Sequence, residues 1–341
     1  MRRHWLPAIA AVVFCATFVT GAENARADEP FFAGKTVTIV IPAGPGGIYG
    51  LYAQVFAPHL SRHVPGNPNF ILQYVPGSGG TKAANYIANA APRDGTVLAT
   101  PHSSLAITQV LRPDAVKYDV RRFRWIGTIG GSSNTLSVWR AAGVVTVEQA
   151  TRKQIVIGAT GRNAVSYMAP RLMNAVLGTK FKIVTGYKGV ADLDIALERG
   201  EIQGRANNWL SWKTGKPDWL RDGKIVHLVQ ISHHRAPDLR DVPLLVDLAS
   251  NEADAQMFRF ISSIGPIGRG LALPDSVPAD RIALLRDAFE NTLKDPAFLK
   301  DAAARQIEID PTTGPEVEKE IARVLATPRS VVDKLRRLMA E

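Results

Sequence analysis

Two glycine pairs stand where a β-branched run gives way to a helical pattern: Gly46-Gly47 after residues 36–41, and Gly79-Gly80 after residues 69–75. A glycine-rich turn entering a helix presents unpaired backbone N–H groups at the positive end of the helix dipole. That is the chemistry of an anion site. Without a Cβ, a ligand can approach the backbone closely. Two such turns on neighbouring strands would converge on one carboxylate, and a side chain at Gly47 or Gly79 is then expected to fill the space the carboxylate needs.

Other chemistries fit less well. Gly44-Pro-Gly46-Gly47-Ile-Tyr49-Gly50 begins like a dinucleotide fingerprint, but Tyr49 stands where the third glycine belongs, and no Gly-Lys-Ser/Thr follows either loop. A nucleophile elbow at Ser78 needs glycines two before and two after. Gly80 meets this and Pro76 does not. His102, His227, His233 and His234 could serve as bases, yet nothing in the sequence places any of them beside Ser78. His233-His234 reads as a strand dipeptide whose rings point to opposite faces, which does not make a metal site.

The elements that would position the loops repeat a unit. Residues 36–41 form a strand, and Leu51, Tyr52, Val55, Phe56 and Leu60 recur at helical spacing, with Pro58 expected to kink or end that helix. Residues 69–75 read as a strand, 76–80 as a loop, Thr81 as a helix cap, and 96–100 as a strand. After a change of composition near Gly127 the unit recurs twice. Strand 154–158, loop 159–163 and helix 165–177 with Gly178 as its C-terminal cap come first. Strand 182–185, loop 186–189, helix 190–199 and strand 201–205 follow. Helices 281–293 and 317–325 then pack the tail. Alternating strands and helices predict parallel sheets whose ligands sit at the carboxyl ends of the strands.

The chain opens on Arg2-Arg3, an apolar run over 6–19 and Ala25-Arg26-Ala27, which reads as a cleaved signal over 1–27. Cys15, the only cysteine, falls inside it, behind Phe14 where a lipoprotein signal has a small residue. A chain starting at Asp28 would have no thiol, so disulfides and thiol catalysis are excluded. Without Arg2, Arg3, Arg26 and Glu23 the formal charge falls from +10 to +8. That surplus favours anionic ligands by steering. The basic residues are scattered, the densest cluster being Arg121-Arg122-Phe-Arg124, so no nucleic-acid partner is expected.

The order of these motifs carries a resemblance. Pro-Ala-Gly-Pro-Gly-Gly before a helix, Pro-Gly-Asn-Pro before a strand, then Val-Pro-Gly-Ser-Gly-Gly and Ala-Pro-Arg-Asp-Gly-Thr resemble the substrate-binding receptors of tripartite tricarboxylate transporters, the Bug family. Val-Pro-Leu-Leu at 242–245 and Leu-Lys-Asp-Pro-Ala-Phe at 293–298 extend the likeness along the chain. It implies an α/β, two-lobed type II periplasmic binding protein, each lobe a mostly parallel sheet flanked by helices, with a ligand cleft between the lobes. The expected division is 28–128 plus 230–341 for the first lobe and 129–229 for the second. Many relatives carry Asp where this chain has Gly50, so any ligand group held by that carboxylate would lose its partner.

In the first lobe the resemblance and the loops nominate Gly46, Gly47, Ile48, Tyr49, Ser78, Gly79, Gly80, Thr81 and Ser103 as ligand contacts. The second lobe adds Thr160, Arg162, Asn163, Ser166, Tyr187, Gly189 and Asn207, with Arg162 a candidate partner for a second carboxylate. No catalytic residue, metal or cofactor is expected. The implied partners are a small organic acid and the permease subunits of the transporter, for a monomeric receptor in the periplasm. A periplasmic hydrolase using Ser78, or a sensor subunit, is the alternative.

Overall fold

The computed structural model describes residue 1 and residues 29–131, 133–265 and 267–340. The expected signal segment lies outside the described residues from Arg2 onward. Along the chain come β1 (Thr36–Ile41), α1 (Ile48–His63), β2 (Asn69–Tyr74), α2 (Thr81–Asn89), β3 (Val97–Ala99), α3 (Leu105–Leu111) and β4 (Arg124–Thr128). Next are β5 (Asn134–Trp139), α4 (Val147–Arg152), β6 (Ile155–Ala159), α5 (Val165–Leu177), β7 (Phe181–Thr185), α6 (Val190–Glu198) and β8 (Gly204–Asn208). There follow α7 (Trp209–Gly215), α8 (Pro217–Arg221), β9 (Ile225–Ile231), α9 (Glu252–Ser262) and β10 (Gly270–Leu273). The tail is α10 (Ala279–Lys294), α11 (Pro296–Ala304), the short β11 (Thr312–Thr313), α12 (Gly314–Leu325) and α13 (Arg329–Ala340).

The strands form two sheets, in the orders β11-β4-β10-β3-β1-β2 and β7-β6-β8-β5-β9. Both are mixed rather than mostly parallel. In the first, β1 runs parallel to β2 and β3, whereas β10 is antiparallel to β3 and β4. In the second, β6 is parallel to β7 and β8, and β5 is antiparallel to β8 and β9. The parallel half of each sheet is built from the glycine-loop units. The antiparallel half comes from strands that cross between the sheets, where an apolar run gives no hint of direction.

Several local expectations shift. Helix α1 runs through Pro58 to His63. Pro58 and Gln54, whose carbonyl loses its partner, are both exposed, so water can serve that carbonyl. Gly80, not Thr81, occupies the N-cap of α2. β8 begins three residues later than expected, which makes Asn207 and Asn208 its last two residues. His233 and His234 lie past the end of β9, both exposed, and not on a strand. Helix α5 and the left-handed Gly178 after it fall where the sequence puts them.

Each sheet has its own aromatic packing. Phe56 of α1 meets Phe289 and Phe298, holding α1 against α10 and α11. Trp139, Trp209, Trp212 and Trp219 gather beside the second sheet. Helices α9 and α13 pack on α5, tying the late part of the chain to the second sheet.

Candidate functional site

Four helices aim their N-termini at one cavity. The N-cap positions are Gly47 for α1, Gly80 for α2, Ala164 for α5 and Gly189 for α6, and none makes a side-chain capping bond. Thr146 of α4, Asn251 of α9, Asp295 of α11 and Asn208 of α7, itself in the cavity lining, do cap their helices through side-chain oxygens, whereas α3, α8 and α10 also lack such a bond. A cap contributes about 1 kcal/mol. The four helices named forgo it; in α2 the Thr81 N–H is taken by the Ser78 carbonyl, and the remaining first-turn N–H groups of these helices have no side-chain cap competing with a ligand.

The cavity has about 100 Å³ of free space. That is below the 300–1,000 Å³ typical of drug-sized pockets, so its occupant is small. Arg269, Lys188 and His102 are among its lining residues, and no Asp or Glu is among the described ones. Arg269 is buried and Lys188 exposed. Four positive helix ends, Arg269 and the exposed Lys188 outweigh Asp192, the one acidic residue in the first turns of these helices, and make the field positive.

Polar side chains complete the lining. The Tyr49 hydroxyl lies 3.3 Å from Ser103 Oγ and accepts the Ser103 N–H at 3.1 Å. Burial raises the Tyr49 hydroxyl pKa, partly offset by Ser103 and by the charge of Arg269. His102 stacks near Tyr49, with ring centroids 5.4 Å apart, and burial pushes its imidazole down to about 4, so it is neutral at neutral pH. Asn134, Thr160, Ser166, Asn207 and Asn208 face the same space, with Ser166 Oγ accepting from the Thr160 N–H.

Of the residues nominated from sequence, Gly47, Ile48, Tyr49, Gly79, Gly80 and Ser103 line the cavity from the first sheet's side. Thr160, Ser166, Gly189 and Asn207 line it from the other. Gly46 does not reach it; it is exposed at a positive φ of 81°. Ser78 and Tyr187 border an outer groove with Lys82, and no histidine hydrogen-bonds to Ser78 among the described residues. Arg162 is exposed beside Arg112 in another groove. A Cβ at Gly50 would sit 2.9 Å from the Tyr74 hydroxyl, so that position faces Tyr74 rather than the ligand space.

Thr81 and Asn163 do something else: they join the two halves. Asn163 Nδ2 donates to Thr81 Oγ1 at 2.9 Å, and Arg112 donates to Asn163 Oδ1 at 2.7 Å. The Ser104 and Thr108 hydroxyls donate to the Asn163 carbonyl at 2.8 and 3.1 Å. On the opposite rim the Gly44 N–H donates to the Lys188 carbonyl at 3.0 Å. The cleft is therefore closed in this structure. Arg269 and Asn134 escaped the sequence reading, which weighed His102 only as a base and Lys188 only as part of the 186–189 turn. The one trace of Arg269 was its setting, a long charged residue between Gly268 and Gly270. Among the described residues no cluster of metal-ligating side chains occurs, and no helix is long and apolar enough to cross a membrane.

No family model matches the sequence. The chain is 25% identical over 301 residues to the "UPF0065 protein in the TAR-I ttuE-ttuC' intergenic region" of Agrobacterium vitis, covering 86% of this chain and 81% of that one. Its fold is similar to that of the periplasmic binding protein BugD, with TM-score 0.70, 16% identity, and 91% and 99% of the two chains covered. A Rhodopseudomonas palustris protein with adipate matches at TM-score 0.68 and 20% identity, covering 90% and 98%. MatC from the same organism, with bound malate, matches at 0.66 and 20%, covering 90% and 100%. The chain is thus similar in sequence to a UPF0065 protein and shares the two-lobed α/β fold of the periplasmic binding protein BugD and of a TctC solute binding protein.

Proposed function

We propose that this protein captures a small organic acid between its lobes in the periplasm and delivers it, as a monomer, to the membrane subunits of a tripartite tricarboxylate-type transporter. The observation that carries this reading is the meeting of four helix N-termini without side-chain caps at a cavity whose described lining residues include the buried Arg269 and no carboxylate. Backbone N–H groups take the anion, and closure brings the second pair of helix ends onto it. Proteins of the same fold hold adipate and malate, both small dicarboxylates. Catalysis is not part of the reading, because Ser78 stands outside the cavity.

A thermal-shift screen of organic acids tests it. A ligand at 100 times its dissociation constant adds about 2.7 kcal/mol of stability, which moves the melting point measurably. Failure of every acid to shift it, together with hydrolysis of an ester that Ser78→Ala abolishes, would establish the hydrolase instead. Transport is tested separately, by loss of uptake of the identified acid when the gene is deleted and its recovery on complementation.

A further inference from the structure

Arg269 is set apart from the other arginines. Only 3% of it is exposed, it lines the cavity, and no ion pair to it occurs among the described residues. Its Nε has no hydrogen-bond partner, and neither has Asn207 Nδ2 in the same cavity wall. Two buried donors of this kind cost free energy unless an acceptor meets them. The residue is also held at φ 57°, a left-handed backbone that a long side chain rarely adopts and that persists where its surroundings impose it. Those surroundings fix the cation. Its guanidinium lies 5.0 Å from the Tyr52 ring centroid on α1, and its carbonyl accepts the Ile129 N–H on the chain that crosses from β4 to β5.

Magnitudes say how much negative charge the site expects. Each helix N-terminus acts as roughly +0.5 of a charge, so four supply about +2; Arg269 and the exposed Lys188 add two and Asp192 in the first turn of α6 removes one, for a total of about +3. A single carboxylate leaves most of that unbalanced. We propose that Arg269 is the specificity-determining residue of the cavity: its guanidinium pairs with one carboxylate of the ligand while the helix N-termini hold another, which selects dicarboxylates over acids with one carboxylate. A planar guanidinium suits this task because it can bind a carboxylate through two parallel N–H bonds. The proposal rests on the organic-acid reading above.

The test is calorimetry on the full protein with the diacids from malonate to adipate, each against its half-amide. Wild type is expected to bind its preferred diacid at least 10-fold more tightly than the half-amide. Arg269→Met should weaken that diacid roughly 10- to 150-fold and bring the two ligands within about 3-fold of each other. Arg269→Lys, which keeps the charge and loses the fork, should fall between. If Arg269 merely packs on Tyr52, Arg269→Met will lower the melting point and leave the diacid to half-amide ratio unchanged, which overturns the proposal. Equal binding of diacid and half-amide by wild type overturns it as well, and does so even if the Met variant fails to fold. Binding of no acid by wild type removes both this inference and the function it rests on, whereas binding of acids with an unaltered ratio removes only the inference.

Discussion

The side-chain amide of Asn163, just before the N-cap of α5, donates to the hydroxyl of Thr81 on the first turn of α2, 2.9 Å away and buried. The two residues are 82 positions apart and belong to helices on different sheets. Their bond spans the cleft, so separation of the two sides would break it. With Arg112 on the Asn163 carbonyl oxygen of the same side chain, it forms a clasp that closure makes and opening breaks.

Asn163→Ala should therefore weaken every ligand alike. It removes one neutral and one charge-assisted hydrogen bond from the closed state, and in the open state water replaces both. A loss of about 2 kcal/mol is expected, roughly 30-fold in affinity. Calorimetry reads the loss, and small-angle scattering should show a smaller ligand-induced contraction. Unchanged affinity would mean the clasp follows closure without driving it.

Gly79 and Gly47 should part company when each becomes Ala. Gly79 sits at φ 61°, and a Cβ there would lie 2.6 Å from the Ala164 backbone nitrogen across the cleft. Gly47 has φ −97°, and the nearest atom to its Cβ would be 3.9 Å away. Gly79→Ala should cost more than 10-fold in affinity while the open protein stays folded, and Gly47→Ala should stay within about 3-fold. Equal losses would show that both glycines serve the ligand's approach rather than closure.

That contrast marks what the sequence could reveal. Both glycine turns were legible, because an apolar run, a glycine pair and helical spacing are local patterns. Their partners were not. The atom nearest a Cβ on Gly79 belongs to Ala164, and sequence contains no measure of how two lobes approach. Arg162 illustrates the limit: loop position made it a candidate second-carboxylate partner, but it is exposed, and the buried cation of the cavity lining is Arg269 just before β10, a segment no motif marked. Arg162→Ala is accordingly expected to change dicarboxylate affinity by less than about 2-fold. The antiparallel strands β5, β9 and β10 were illegible for a related reason, since direction depends on where the chain crosses between sheets.

Behind the cavity wall, Arg205 is fully buried against the Trp212 ring, 3.8 Å away, with Asp194 as its ion-pair partner at 2.6 Å. Burial pulls Arg205 down to about 10, so it stays charged at neutral pH. Asp194→Ala leaves that charge uncompensated and should destabilise the protein by about 3–5 kcal/mol. Pairing it with Arg205→Met should recover most of the loss in urea unfolding. If the single variant is as stable as wild type, another group is neutralising Arg205.

Acid sensitivity should trace to two imidazoles. His102 in the cavity wall and His227, which hydrogen-bonds Ser137 at 2.7 Å, are both held down to about 4 by burial, from an ordinary value of 6.5. In the unfolded chain each takes a proton near pH 6.5, while in the folded chain each waits until about pH 4. Between those values the unfolded state binds more protons, so stability falls as pH falls, by at most about 1.4 kcal/mol per pH unit for each histidine. Above pH 6.5 the effect vanishes. Partial solvent contact of both rings keeps the true slope below that ceiling. Urea unfolding from pH 7.5 to 4.5 measures it, and His227→Phe, which keeps the packing against Trp209, should flatten the curve over the same window. A slope identical to wild type in that variant would assign the acid sensitivity to His102 and to the carboxylates.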